Sequence, residues 1–320
     1  MGARRSKRRE SSEDGEYDPR GSTKRRRDAA AESESDNSAS EVEPVKQGSP
    51  QTYAERLLPI ADKGVCGDAE THETHAAVAA KVAQLAHLLR DANGRALVHT
   101  GAGISTAAGV PDFRGPNGVW TCELQSKPKP HGVKFGDAKP TLTHKAINTL
   151  IEHGFLSHVN VDGLHTRSGL PREVLSEVHG TAFAEWCKKC NKEWRTETEV
   201  ATIGLKKTGN KCLICGTPLR DMLCDWDSQL PDDECARAIE EHKKAQLVIC
   251  VGSSLRIRPA GLWPMKTKRK GKGEPPGKIA LINLQKTHID KQCDIRIFAK
   301  CDLVFQMLLK ELGLQILEKN

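Results

Sequence analysis

Four cysteines in two pairs constrain this chain more than any other feature of its sequence. Cys187 and Cys190 form one CxxC pair, and Cys212 and Cys215 form a second pair after 21 intervening residues. Four thiolates at this spacing are a common ligand set for a tetrahedral zinc ion, whereas four incidental thiols rarely fall into two such pairs. Four cysteines also fill the coordination sphere, so the predicted zinc ion is structural and not catalytic.

Composition sets the outer limits of the prediction. The 320 residues are enough for one large or two ordinary domains, and a hydrophobic fraction of 37% is low for a chain folded throughout. No run of about 18 apolar residues occurs, so we expect no membrane span, and the basic N-terminus leads into no apolar stretch typical of a secretory signal. Eleven cysteines, an odd number, then favour reduced thiols or metal ligands in an intracellular protein over a disulfide framework.

The N-terminal part lacks the apolar side chains that a folded segment needs. Residues 1–50 contain 11 Lys+Arg, 11 Asp+Glu and nine serines, so the net charge of +7 belongs to residues 51–320. Such a composition buries too little surface to offset the entropy cost of ordering, and we expect residues 1–75 to be a disordered, charged tail. Its basic cluster at residues 24–27 fits either a nuclear-import signal or a solvated run of charge.

Helical periodicity and short apolar runs alternate along the rest of the chain. Asn93-Gly94 is a helix stop, and a second stop is expected at Gly313. Alternation of this kind is typical of a parallel α/β sheet. The helical positions are Val78, Val82, Leu85, Leu88 and Leu89, the predicted strands are 96–98 (ending at Thr100), 247–251 and 279–282, and the last predicted helix is 302–312.

All three predicted strands are followed by turns of small or polar residues. The first is followed by a turn over residues 101–106, in which glycines let the backbone approach a phosphate and a following helix N-terminus would favour an anion. Thr106 stands where the third glycine of a full GxGxxG would fall, so an ordinary tight turn fits equally well. Similar turns at 252–254 and 283–285 would lie on the same sheet edge, where open α/β folds bind ligands.

His179, just before the zinc module, is a candidate general base, although a lone histidine is more often structural. Eight motifs follow one another along the chain: Gly101–Ser105, Pro111–Gly115, Gly118–Trp120, Asn160–His165, His179-Gly180, the four cysteines, Gly252–Ser254 and Asn283–Gln285. Taken together, they strongly resemble the sirtuin family, the NAD-dependent protein-lysine deacylases, over roughly residues 76–315. Finer details are similar to the nuclear class IV, which includes sirtuins six and seven, and lean slightly to six.

This resemblance implies an α/β fold: a Rossmann-like parallel sheet of the deoxyhypusine synthase-like NAD-binding type, with a small zinc-ribbon-type insert. Residues 76–182 and 223–315 would form the two parts of the NAD-binding domain. Residues 183–222 would form the four-cysteine zinc module, and residues 316–320 the C-terminal end. The implied cofactors are NAD+ and one structural Zn²⁺.

The resemblance also implies roles for individual residues. His179 would be the catalytic base, Phe113 would shield the reacting ribose carbon, and Trp226 would wall the acyl-lysine tunnel. Asn160 and Asp162 would border the nicotinamide pocket. The implied NAD-binding residues are Ala102, Thr106, Phe113, Arg114, Trp120, Asn160, Asp162, Gly252, Ser253, Ser254, Asn283, Gln285 and Cys301.

The implied function is deacylation of acylated lysines on histones or other nuclear proteins, in the nucleus, giving nicotinamide and O-acyl-ADP-ribose. A protein mono-ADP-ribosyltransferase on the same fold would use the same residues. The basic run at residues 266–272, which we expect to be an exposed loop, would either bind nucleic-acid phosphates or a nucleosome, or stay an uncommitted solvated loop.

The segment before Asn160 departs from the family pattern. A tripeptide such as Val-Ser-Gln usually precedes this asparagine, and its glutamine contacts the NAD ribose, whereas here Ser157-His158-Val159 does. Three explanations are open. The segment lacks three residues, which would invert the faces of the strand; or Val159 simply replaces the glutamine; or the gene model contains an error. The departure allows a third hypothesis, a catalytically impaired chromatin-binding module.

Overall fold

A six-stranded parallel sheet lies at the centre of the computed structural model, which describes residues 56–160, 164–268, 271 and 273–317. Asp162, the cluster at 24–27 and most of the predicted tail therefore lie outside the described residues. In chain order the strands are β1 (Ala96–Thr100), β2 (His158–Asn160), β3 (Leu175–Ser176), β4 (Gly180–Cys187), β5 (Lys192–Arg195), β6 (Lys207–Lys211), β7 (Pro218–Leu223), β8 (Leu247–Val251), β9 (Lys278–Ile282) and β10 (Ile295–Ile297). The helices are α1 (His75–Asp91), α2 (Val119–Leu124), α3 (Leu142–Glu152), α4 (Leu164–Arg167), α5 (Asp232–Lys244) and α6 (Cys301–Leu312).

The central sheet has the strand order β10-β9-β8-β1-β2-β3, and every neighbouring pair is parallel. From β1 the chain builds one side of the sheet through β2 and β3 and later returns to β8 on the other side. The order therefore reverses between β1 and β8. In open α/β sheets this reversal leaves a crevice beyond the carboxyl ends of the two strands, where ligands bind.

Alternate side chains of β1 pack into two different cores, as expected for a strand covered on both faces. Val98 lies in the larger core, which contains side chains of α1, α3 and α6. Leu97 points to the opposite face and packs with Val248 and Ile279. Helices α1 and α6 can cover this face because their apolar positions recur at helical spacing and so form one apolar side on each helix.

A second, antiparallel sheet is inserted in the chain between β3 and α5. Its strand order is β5-β4-β7-β6, and its core is small, with Phe183 and Leu223 among its few fully buried apolar side chains. The cysteine cluster lies at the Cys187 end of β4. Because β5 and β6 contribute almost no buried residues, this sheet has little hydrophobic stabilisation of its own.

Most sequence-predicted elements are present, with two local differences. The strands at 96–100, 247–251 and 279–282 and the helices ending near residues 91 and 312 are all observed. The turn after β1 continues into two short 3-10 turns, not the expected helix. Lys266, Thr267 and Lys268 end a 3-10 helix instead of forming an exposed loop, because buried Thr267 donates a hydrogen bond to the carbonyl of Ala245 (2.6 Å) and Lys268 pairs with Asp294.

Residues 56–74 fall within the segment that composition assigns to the tail. The structure places them against the folded part, with hydrogen bonds that reach both sheets. As for membranes, the helices of the described part are all too short or too polar to cross a bilayer.

Candidate active site

A cavity of about 380 Å³ lies at the reversal of strand order, beyond the carboxyl ends of β1 and β8. It extends from the sheet edge to the start of the inserted sheet, so both sheets contribute side chains. Its lining includes ten of the predicted site residues: Ala102, Phe113, Arg114, His179, Trp226, Gly252, Ser253, Ser254, Asn283 and Gln285.

The floor of the cavity is made of two glycine turns in direct contact. The amide of Gly103 donates a hydrogen bond to the carbonyl of Gly252 at 2.9 Å. A Cβ added at Gly101 or Gly103 would come within 2.7 Å of that same carbonyl oxygen, and Gly252 has a φ of +58°. The contact thus requires glycine for steric reasons, and the backbone of both turns lines the cavity at the sheet edge, where an anionic ligand can approach.

One wall of the cavity is aromatic. The rings of Phe113, Trp120 and Trp226 pack on one another with centroid distances of 4.9 to 5.7 Å. The guanidinium carbon of Arg114 lies 4.4 Å from the Trp120 ring centroid, a cation–π contact. Trp120 is buried and does not itself line the cavity. It instead fixes the positions of the Phe113 and Trp226 rings and of the Arg114 guanidinium, all of which do.

His179 lies where the chain enters β4, with its ring facing the same cavity. The next residue, Gly180, has a φ of +76°, and a Cβ there would lie 1.7 Å from the carbonyl oxygen of Met222. The turn is therefore tightly held. Burial lowers the pKa of His179 to about 4, so the imidazole is neutral at neutral pH. In the described part of the chain its Nε2 atom has no hydrogen-bond partner, which leaves it available to a ligand.

Several cavity residues were not anticipated from the sequence. His99 reaches the lining from β1, and Leu57, Arg256 and Asp112 also contribute. Arg256 lies two residues beyond the predicted turn at 252–254, and this position was the signal for it in the sequence. Leu57 belongs to an irregular segment without periodicity, and no signal in the sequence marked it.

Other predicted site residues lie outside the lining. Thr106 is exposed and donates its hydroxyl to the carbonyl of Gly103 at 3.0 Å. Cys301 is the first residue of α6, and burial raises the pKa of its thiol to about 12. Asn160 ends β2, where its backbone is in register with His99 of β1.

The unusual segment before Asn160 takes part in the sheet. Val159 is fully buried in the larger core, on the same face as its β1 partner Val98. The preceding His158 lies on the opposite face, with its Nε2 2.8 Å from the Ser176 hydroxyl, and burial lowers its pKa to about 4. Neither Val159 nor His158 lines the cavity, so no side chain from these two positions replaces the family glutamine.

The four predicted metal ligands converge. The sulfur atoms of Cys187, Cys190, Cys212 and Cys215 all lie within 4.8 Å of one another. The Cys187 and Cys215 sulfurs are 3.5 Å apart, and those of Cys190 and Cys212 are 3.9 Å apart. A tetrahedral zinc ion with Zn–S bonds of about 2.3 Å needs separations of about 3.8 Å. The cluster therefore fits one structural zinc ion, with no position left for substrate.

Comparison with known proteins agrees with this fold. Residues 130–259 match the family model described as "Sir2 family". The chain is 43% identical over 270 residues to "NAD-dependent protein deacetylase SRT1" of Arabidopsis thaliana, which covers 82% of this chain and 56% of that protein. It is 38% identical over 278 residues to "NAD-dependent protein deacetylase Sirt6" of Drosophila melanogaster, covering 83% and 86%. With "NAD-dependent protein deacetylase sirtuin-7" of Mus musculus the identity is 40% over 252 residues, covering 74% and 60%.

Solved structures share the fold. "Sir2-p53 peptide-NAD+" superposes with a TM-score of 0.54 at 27% identity, and "Sir2 bound to acetylated peptide" with 0.55 at 27%. Each match covers 72% of this chain and 98% of the solved one. This chain spans little more than half the length of its Arabidopsis relative but most of the Drosophila one. The chain belongs to the Sir2 family, the sirtuins, and is related to its class IV.

Proposed function

We propose that the protein is an NAD-dependent protein-lysine deacylase that removes acyl groups from lysines and gives nicotinamide and O-acyl-ADP-ribose. The observation that carries the proposal is one shared cavity. A neutral histidine with an unpartnered Nε2, an arginine and an aromatic wall meet there over a glycine floor. The names of the relatives and the bound peptide and NAD+ of the solved structure point the same way.

The cavity residues fit NAD+. The Gly101–Gly103 and Gly252 turns pack so closely that only glycine fits between them, and their backbone lines the cavity together with the Arg114 cation. We assign the adenosine end to Ser253, Ser254, Asn283 and Gln285, and the nicotinamide end to the side of Asn160 and Asp162. When bound, NAD+ supplies the ribose carbon that accepts the acyl oxygen once nicotinamide has left.

His179 is assigned as the general base. Its imidazole is neutral at pH 7 because burial disfavours the charged form, the residue lines the cavity, and its buried Nε2 has no hydrogen-bond partner in the described part. A neutral imidazole can take a proton from a ribose hydroxyl, and positioned general bases contribute about 10²- to 10⁴-fold to rates. Phe113 and Trp226 would exclude water from the same space.

We further propose histones or other nuclear proteins as substrates and the nucleus as the location. The class IV relationship supports both. The net charge of +7 and the basic run at 266–272 support contact with nucleic acid or a nucleosome surface. Of that run, Lys266 and Lys268 are only half-buried at the end of the 3-10 helix, and residues 269, 270 and 272 lie outside the described part.

The test is to incubate the full chain with NAD+ and an acylated histone-tail peptide and to follow nicotinamide and peptide mass. His179→Ala should lower kcat at least about 10²-fold, whereas His87→Ala, on the exposed side of α1, should leave kcat unchanged. Equal turnover by His179→Ala and the wild type would reject the assignment of the base. ADP-ribose retained on the protein or peptide would instead support the mono-ADP-ribosyltransferase alternative.

The absence of the family glutamine favours one second candidate, a catalytically impaired chromatin-binding module. This candidate predicts no turnover and no rise in melting temperature with NAD+, because only a ligand that binds the native state raises it. A variant with Val-Ser-Gln inserted between Val159 and Asn160 separates the cases. If it gains turnover that the wild type lacks, the short segment is the cause of the impairment.

A further inference from the structure

Residues 56–74, here called the strap, run beside the cavity from the inserted sheet to the edge of the central sheet, with Leu57 in the cavity lining. The strap contains almost no regular secondary structure. The strap is held in place by hydrogen bonds to other segments of the chain. These hydrogen bonds lie at the two ends of the strap and in its middle.

The first end of the strap contacts the substrate side of the cavity. The Leu58 amide donates a hydrogen bond to the Asp225 carboxylate at 3.0 Å, and the same carboxylate accepts the amide of Trp226 at 2.8 Å. Leu57 lines the cavity and packs with Phe183 and Leu223 of the inserted sheet. Arg56 donates to the carbonyl of Ala201 at 3.1 Å and pairs with Glu199.

The middle of the strap holds Arg114. The Arg114 guanidinium donates through Nε to the carbonyl of Lys63 at 3.0 Å, and the Arg114 carbonyl accepts the amide of Gly67 at 2.9 Å. The Lys63 ammonium also pairs with Glu123 of α2 at 3.0 Å. The cation that faces the cavity is therefore oriented from behind by the strap backbone.

Asp68 joins the strap to two further cavity residues. Its carboxylate forms an ion pair with the Arg256 guanidinium at 3.3 Å, and its carbonyl accepts a hydrogen bond from the Gln285 side chain at 2.6 Å. Arg256 follows the β8 turn and Gln285 follows β9, so one strap residue fixes side chains from two adjacent strand ends. Beyond it, the Thr71 amide donates to the carbonyl of Leu284 at 2.8 Å.

We propose that the strap is a positioning element of the active site, and that Asp68 is the residue through which it holds Arg256 and Gln285 in the geometry that binds NAD+. The inference rests on the proposed function, because its ligand is the dinucleotide. Asp68 acts through Arg256 and Gln285, so it is a positioning and not a catalytic residue.

This role differs from a general contribution to stability. The Asp68 side chain is 42% exposed and that of Arg256 31% exposed, and exposed ion pairs add little to the free energy of unfolding. Losing the pair should leave the fold intact while releasing Arg256 at the cavity wall. The Arg256 side chain would then have to be ordered when NAD+ binds, and this cost should raise the KM for NAD+.

The experiment compares Asp68→Asn with Glu70→Gln in the full chain. Both remove one negative charge from the strap, but the Glu70 carboxylate pairs with His72 inside the strap. We expect Asp68→Asn to raise the KM for NAD+ about five-fold, the upper range for an exposed ion pair. Its kcat and its melting temperature without ligand should match those of the wild type, and Glu70→Gln should behave as the wild type throughout.

A double variant gives an internal check. If Asp68 acts through Arg256, Asp68→Asn should have no further effect on KM once Arg256→Gln is present. An unchanged KM in Asp68→Asn, additive effects in the double variant, or a fall in kcat alone would each overturn the inference. A wild-type protein whose melting temperature NAD+ does not raise would overturn the proposed function itself, and the inference with it.

Discussion

At the scale of the residue, Gly180 shows how little space the backbone at the active site leaves for a side chain. Its φ of +76° and the position of the Met222 carbonyl, 1.7 Å from an added Cβ, leave room for hydrogen only. The preceding residue is His179, whose carbonyl accepts the amide of Cys224 at 3.0 Å. The conformation at Gly180 therefore sets the direction in which the imidazole enters the cavity.

We expect Gly180→Ala to destabilise the protein by about 3 kcal/mol or more, since it combines a left-handed backbone with a steric clash. Gly209→Ala is the matched control, because Gly209 also has a positive φ (+93°) but has nothing within 4 Å of an added Cβ. It should cost about 1 kcal/mol. Urea unfolding measures both, and equal costs would show that the Met222 contact relaxes.

At this scale the sequence identified residue types better than contacts. It singled out His179, Phe113 and Arg114 through their motifs, and all three line the cavity. It did not find Asp68 or Leu57, because an extended segment without apolar periodicity has no local pattern. Such residues become visible only when distant parts of the chain meet.

At the scale of the element, the inserted sheet depends on its cysteines. Strand β6 is almost fully exposed, and in the described part of the chain the buried cluster beside β4 and β7 is small, made of Ala182, Phe183, Ile203 and Leu223. The other buried cluster consists of Leu219 with Cys187 and Cys212. Little apolar burial is available, so metal ligation has to supply much of the stability of this element.

Replacing Cys215 by Ala should therefore abolish zinc binding and loosen the inserted sheet. We expect zinc content to fall from one ion per chain to none, and limited proteolysis to cut within residues 188–216 while β1 and β8 stay protected. Cys66→Ser, a thiol outside the cluster, is the control. A variant that keeps its zinc, or a sheet that resists proteolysis without it, would contradict this dependence.

Also at the scale of the element, apolar periodicity and glycine stops located helices α1 and α6 but not the path of the turn after β1. The predicted boundaries of the α1 and α6 helices lie within about a turn of the observed ones because left-handed residues, Asn93-Gly94 and Gly313, follow their last turns. The turn after β1 was expected to open a helix and instead forms two 3-10 turns. Its path is set by the Gly252 contact, which comes from a strand far away in sequence.

At the scale of the whole molecule, buried histidines couple stability to pH. Burial lowers the pKa of His144 to about 3, and that of His242 to about 4. Burial also holds the pKa of His99 and His165 well below 6.5. Below pH 6.5 the unfolded chain takes up protons at these side chains that the folded chain does not.

Stability should therefore be complete above about pH 6.5 and fall as pH decreases towards 4. Each such histidine contributes a slope of about 1.4 kcal/mol per pH unit in that window. Urea unfolding at pH 7.5, 6.5 and 5.5 measures the slope, and His242→Phe should reduce it by one histidine's share. An identical slope in His242→Phe, or stability that stays flat down to pH 5.5, would contradict the account.

The sequence by itself determined strands β1, β8 and β9, helices α1 and α6, the zinc ligands and the glycine turns, because periodicity, ligand spacing and steric demand are local properties. It also placed the motifs in an order that identifies the family. Only the tertiary structure decided that the strap lies beside the cavity and that Asp68 reaches Arg256 and Gln285. It likewise decided that Trp120 supports the wall from behind. The Asp68 contacts and the Trp120–Trp226 contact join residues more than 100 positions apart, and their geometry follows from packing and strand order.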